Sequence, residues 1–82
     1  MPAAISYSMI GKNIKYYRKK KSIWCKITQA TLAKYTGKTA QYISKVERGL
    51  VKPDLQFLAT VADVLDCDVT DLLANAMYKY YH

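Results

Sequence analysis

Apolar residues recur along this chain at helical spacings, in short blocks separated by polar breakers. Ile10, Ile14 and Tyr17 recur at i, i+4 and i+7, which is one face of a helix over about Ser8 to Lys20. Ser8 is the predicted N-cap, and the basic run Arg18 to Lys21 complements the C-terminal end of the helix dipole. After a connection of open form, "SIWCKI", Thr28 is placed to cap a second helix, Gln29 to Thr36, that buries Leu32 and Ala33.

The stretch "LAKYTGKTAQYISKVERG" has apolar spacings that one helix could use, yet "TGKT" interrupts it. Gly37 falls where a left-handed C′ residue is preferred, and Thr39 offers a new N-cap two residues later. The stretch therefore predicts two helices, the second over Ala40 to Arg48 and stopped by Gly49, with the short glycine turn of a helix-turn-helix.

Pro53 keeps Lys52 extended and Asp54 caps a fourth helix, whose predicted apolar face is Leu55, Leu58, Ala59, Ala62 and Leu65. Asp68 opens a fifth, with Val69, Leu72, Leu73, Ala76, Met77 and Tyr80 extending the pattern almost to the last residue. The expected fold class is all-α, five short helices without strands. Residues 1–82 are expected to form a single domain, with 74–82 as a helix extension or tail.

Charge changes the picture more than composition does. Residues 1–52 carry twelve Lys and Arg against one acid, Glu47, a charge of +11; residues 53–82 carry Lys79 against five aspartates, −4, together the formal +7. A solvated surface explains scattered lysines but not this segregation, which points to a polyanion, nucleic acid before anionic membrane.

Several classes fall away. No apolar run is long enough for a transmembrane helix, and "MPAAISYS" lacks the form of a signal peptide, so a cytoplasmic location is expected. Cys25 and Cys67 lie far apart and the one histidine is His82, so neither a disulfide framework nor a zinc site is expected, and no cofactor. No nucleophile–base pair is suggested, which argues against an enzyme.

On the predicted third helix, Ile43 and Val46 face inward. Gln41, Ser44, Lys45 and Arg48 occupy the opposite face at i, i+3, i+4 and i+7. A Gln amide matches the adenine edge, Lys can donate to guanine, and a small Ala or a Thr methyl can touch a thymine methyl. Thr39, Ala40, Gln41, Ser44 and Lys45 are therefore the candidate base-contacting residues. Arg48, Lys38 and Lys52 suit phosphate, Tyr42 suits the DNA backbone, and Gln29 lies at a helix N-terminus suited to an anion.

The stretch from "IGKNIKYYRKKK" to "DVTDLL", Ile10 to Leu73, resembles the DNA-binding domain of the lambda-repressor/Cro (XRE-type) family of bacterial and phage transcription regulators. Gln29, Ala33, Gly37, Ile43 and Val46 fall at the family's spacings, and "ISKVERG" followed by Pro53 is close to its consensus. The resemblance implies a five-helix domain that binds operator DNA as a dimer, with Gln29 touching phosphate. It also implies an ion pair between Arg18 and Glu47, the only acid in the first 52 residues. Repressors, restriction–modification controllers and antitoxin-type regulators all fit, as does an interaction module built on the same fold.

The chain departs from the family in two places. About four extra residues, roughly "SIWC", separate Arg18 from Gln29, so the first helix is longer or the loop bulges. Lys38 stands where an apolar residue is common. Trp24 is expected to cover the core, and Cys67 to be buried rather than a redox sensor. Val69, Leu73, Met77 and Tyr80 offer more apolar surface than so small a core needs, so a dimer through the last helix is expected.

Overall fold

Each helix begins where a short polar side chain can accept from the free backbone N–H groups of its first turn. The computed structural model describes residues 3–79. Its helices are α1 (Tyr7–Lys21), α2 (Gln29–Thr36), α3 (Ala40–Glu47), α4 (Leu55–Val64) and α5 (Val69–Leu72). Ser6, Thr28, Thr39 and Asp54 accept from the N–H of Met9, Thr31, Tyr42 and Phe57, the third residue of each helix. At α5 the Asp71 carboxylate accepts from the Asp68 N–H at 2.9 Å.

The cap of α1 is thus Ser6, not Ser8. Ser6 has the extended backbone that a cap requires, whereas Ser8 falls within the first turn. Its Cα there lies 2.7 Å from where a Cβ on Gly49 would stand.

The helices enclose one core of Ile10, Ile14, Leu32, Ile43, Val46, Phe57, Val61 and Leu72 with their neighbours. On α4 the buried stripe is Phe57, Leu58, Val61 and Ala62, continued by Leu65. Leu55 and Ala59, expected inside, are exposed. The helix is rotated to seat Phe57 and Val61, and Leu55, its first residue, is left on the rim.

The five-helix all-α domain is as expected, but the chain also has strands. β1 (Ala3–Ile5) and β2 (Met77–Lys79) pair antiparallel, with Ile5 opposite Met77. The long fifth helix is not formed. Leu73 ends α5, Asn75 turns left-handed at φ 59°, and Asn13 Nδ2 donates to the carbonyls of Leu72 (2.9 Å) and Ala74 (2.8 Å). These two bonds satisfy carbonyls that a continuing helix would have used. Val69, Leu73 and Met77 therefore share no helical face, and Tyr80 lies outside the described residues.

The extra residues after Arg18 are divided between helix and loop. α1 runs on to Lys21, whose ammonium pairs with Asp66, and the rest forms a turn. Ser22 Oγ holds that turn by bonding the carbonyls of Arg18 and Ile27 and accepting from the Ile27 N–H. Trp24 does not cover the core; it is 87% exposed. Cys67 is half-buried against the core, and burial, then Asp71 and Asp68, push its thiol up to about 11, so it stays neutral. Among the described residues no helix is long and apolar enough to cross a membrane.

Candidate nucleic-acid interface

The joint between α2 and α3 is built by three residues. Gly37 takes φ 71°, a left-handed conformation that costs a residue with a Cβ about 1 kcal/mol or more. The Lys38 N–H then donates to Ala33 O at 3.1 Å, closing α2. Thr39 opens α3 with an extended backbone, and its Oγ accepts from Tyr42 N–H at 3.0 Å.

Ile43 and Val46 anchor α3 in the core with essentially no exposure. Ala40, Gln41, Lys45 and Arg48 are exposed on the far side, Ser44 is half-buried beside them, and Thr39 and Lys38 are exposed at the entrance. Arg48 caps the C-terminal end of α3, and its Nε donates to Ser44 O at 3.3 Å. Lys52 is exposed on the connection to α4, its ammonium 5.9 Å from the Tyr7 ring centroid.

Tyr42 is half-buried, packed edge-on against Phe57 with ring centroids 5.5 Å apart. Burial, and then the Asp54 charge, raise its pKa, so the hydroxyl remains a donor. The Lys38 ammonium lies 5.3 Å from the Tyr42 ring centroid, over its face. The apolar pattern does not show this pairing, because Lys38 lies in the turn, before the cap of α3.

Behind α3 lies a polar knot. Arg18 Nε donates to Glu47 Oε2 at 2.7 Å and Nη2 to Oε1 at 3.0 Å. Gln29 Nε2 also donates to Oε1, at 3.0 Å, and Arg18 Nη1 donates to Ile27 O at 3.3 Å. Glu47 is 7% exposed, the one charged residue buried among the described residues. The knot joins α1, α2 and α3 through one carboxylate and sets the orientation of α3. Gln29 therefore spends one amide hydrogen inward, leaving the other for an outside ligand.

Gly11 is a positioning residue that the apolar pattern does not single out. α1 crosses α3 so closely that a Cβ on Gly11 would stand 2.3 Å from Val46 O and 2.6 Å from Glu47 O. The available signal is a glycine inside an otherwise helical block, which often marks a close approach.

Comparison with known proteins places this geometry. The helix-turn-helix family model HTH_3 matches residues 14–72. The transcriptional regulator SinR of Bacillus subtilis is 42% identical over 66 residues, 79% of this chain and 56% of SinR. The chain thus spans little more than half the length of that relative. Among solved structures, the clp gene regulator ClgR of Corynebacterium glutamicum superposes with TM-score 0.76 at 27% identity, covering 92% of this chain and 91% of ClgR. SinR in complex with DNA superposes with TM-score 0.67 at 42% identity, covering 78% of this chain and 97% of that one. By sequence and fold together, the chain belongs to the lambda-repressor-like, XRE-type helix-turn-helix family, with α2 and α3 as its helix-turn-helix.

Proposed function

We propose that the chain is one sequence-specific DNA-binding domain of a cytoplasmic transcription regulator, a repressor, that lays α3 in the major groove of its operator. The observation that carries this reading is the α3 surface: a row of Gln41, Ser44, Lys45 and Arg48 turned away from Ile43 and Val46, on a helix fixed from behind by Glu47. The likeness to SinR, which has been solved with DNA, supports it. The test is selection of bound sites from random duplex DNA. Recovery of no shared sequence would sink the reading and leave a non-specific basic domain or an interaction module.

In this reading Thr39, Ala40, Gln41, Ser44 and Lys45 lie at or near base edges. Gln29, Lys38, Tyr42, Arg48 and Lys52 meet phosphates. The two sets fail differently. Gln41→Ala or Lys45→Ala is expected to lose roughly 1–3 kcal/mol on the selected site and little on random duplex. Lys38→Ala or Arg48→Ala is expected to weaken both alike and to flatten the plot of log affinity against log salt by about one unit. Binding titrations over a salt series make the comparison, and unchanged base preference in Gln41→Ala and Lys45→Ala would show that α3 is not the reader.

The regulator acts as a two-fold homodimer on a palindromic site, with half-site centres about 10 bp apart or a multiple. Of the four expected contacts, Leu73 and Met77 are the ones proposed. Leu73 and Met77, with Ile5 and Ala76, line an apolar hollow beside the ribbon. Sedimentation is expected to show a dimer that Met77→Lys dissociates. A monomer at high concentration, and again on DNA, would contradict the assignment.

A further inference from the structure

The turn between α1 and α2 carries side chains that the fold does not use. Ile23 is 75% exposed and Trp24 87%, beside exposed Tyr16 on α1. The turn holds them out on a braced frame. The N–H groups of Ile23, Trp24 and Cys25 donate to the carbonyls of Lys20 and Lys21, and Ser22 Oγ ties the far side to Ile27. Tyr16 and Ile23 line one shallow apolar hollow rimmed by Lys19 and Lys20, and an apolar patch with a polar rim marks a contact surface.

Two further features identify the partner. The surroundings are cationic: Lys19, Lys20 and Lys26 are exposed here, and no carboxylate occurs before Glu47. The nearest acid, Asp66, is paired with Lys21. The turn is also continuous with the reading surface. It runs directly into Thr28 and Gln29, and Arg18 bonds both its last carbonyl, Ile27 O, and Glu47 of α3. On the DNA-binding reading, a duplex that meets Gln29 at the start of α2 adjoins the end of this turn, while Trp24 sits on its outer side, beside Leu65 and Asp66.

We infer that the Ser22–Lys26 turn is a second DNA contact that grips the duplex flanking the half-site, Trp24 against the sugars and Lys26 on a phosphate. This rests on the DNA-binding reading above and extends its footprint outward. Lysines there neutralise phosphates without reading sequence, and an aromatic face packs on sugar or base whatever the sequence. The contact therefore adds affinity and length dependence, not base preference.

Trp24 is the only tryptophan, so its fluorescence reports this turn alone. The probes are the duplex recovered by selection, trimmed to its half-sites, and the same duplex with about 10 bp, one helical turn, added at each end. The long duplex is expected to bind about fivefold or more tighter and to quench or shift Trp24 emission. Trp24→Ala is expected to abolish that advantage while leaving affinity for the trimmed duplex unchanged. Lys26→Ala is expected to lower the salt slope by about one unit on the long duplex alone. Circular dichroism checks that each variant is folded. Equal affinity for both duplexes, or equal loss on both in Trp24→Ala, overturns the inference and leaves the α3 reading intact. So does an emission change with vesicles of phosphatidylglycerol and phosphatidylcholine but none with the long duplex, which would assign the turn to an anionic membrane. Failure to prefer the selected sequence at either length removes the underlying reading instead.

Discussion

Replacing Glu47 with alanine is expected to cost ~3–5 kcal/mol of folding stability, because the Arg18 guanidinium is left in the interior without its counter-charge. The side chains of Arg18 and Glu47 are only 13% and 3% exposed, so solvent cannot replace the lost partner. Gln29 loses its acceptor in the same step. Urea or thermal unfolding measures the loss. The pair itself is not expected to contribute that much over an apolar alternative, since desolvating two charges offsets most of their attraction. The double variant Arg18→Met, Glu47→Leu is therefore expected to recover much of the stability. A loss below about 1 kcal/mol in Glu47→Ala, the range of an exposed pair, would show that the knot does not brace the fold.

Gly11→Ala is expected to lose about 3 kcal/mol or more, a large effect for one methyl group. The added carbon would meet Val46 O at 2.3 Å, Glu47 O at 2.6 Å and the Glu47 carbonyl carbon at 2.8 Å. All three are backbone atoms, so no rotamer relieves the clash. Ordinary contact begins at 3.4 Å, so α1 and α3 have to part by about 1 Å. That movement loosens the packing of Ile10 and Ile14 on α3 and tilts the surface carrying Gln41 and Lys45. Stability and site preference should therefore fall together, unlike in the surface variants of α3. Unchanged unfolding in Gly11→Ala would show that the close approach of α1 to α3 does not constrain the domain.

The helix-turn-helix was legible because its signals are local. Gly37, Thr39, Thr28 and Asp54 each act through their own backbone within three or four residues, and each performs the expected task. What escaped depends on distant parts of the chain. The apolar spacing from Val69 to Tyr80 reads as a helix, but Asn13, far away in sequence, captures the carbonyls of Leu72 and Ala74 and turns the chain into a strand. Leu55 and Ala59 match a helical face as well as Phe57 and Val61 do, and only the packing of α4 on α2 and α5 chooses between them. A loop tryptophan is expected to cover the core, but the bracing of its turn by Ser22, which leaves Trp24 exposed, cannot be seen in a pattern of apolar residues. At the candidate interface, the outward row on α3 followed from periodicity, whereas the Gln29–Glu47 bond and the seat of Tyr42 on Phe57 required the fold.

The ribbon that pairs Ile5 with Met77 has a consequence for the order of folding. It joins segments from opposite ends of the described chain, so its closure entropy falls only after nearer contacts, those of α2 with α3 and α1 with α3, have brought the ends together. Two strands of three residues each have little stability apart from that support. The ribbon is therefore expected to form last and to open first. Amide hydrogens that bond across it should exchange with solvent through local fraying, while those in the middle of α1 and α3 wait for the whole domain to unfold.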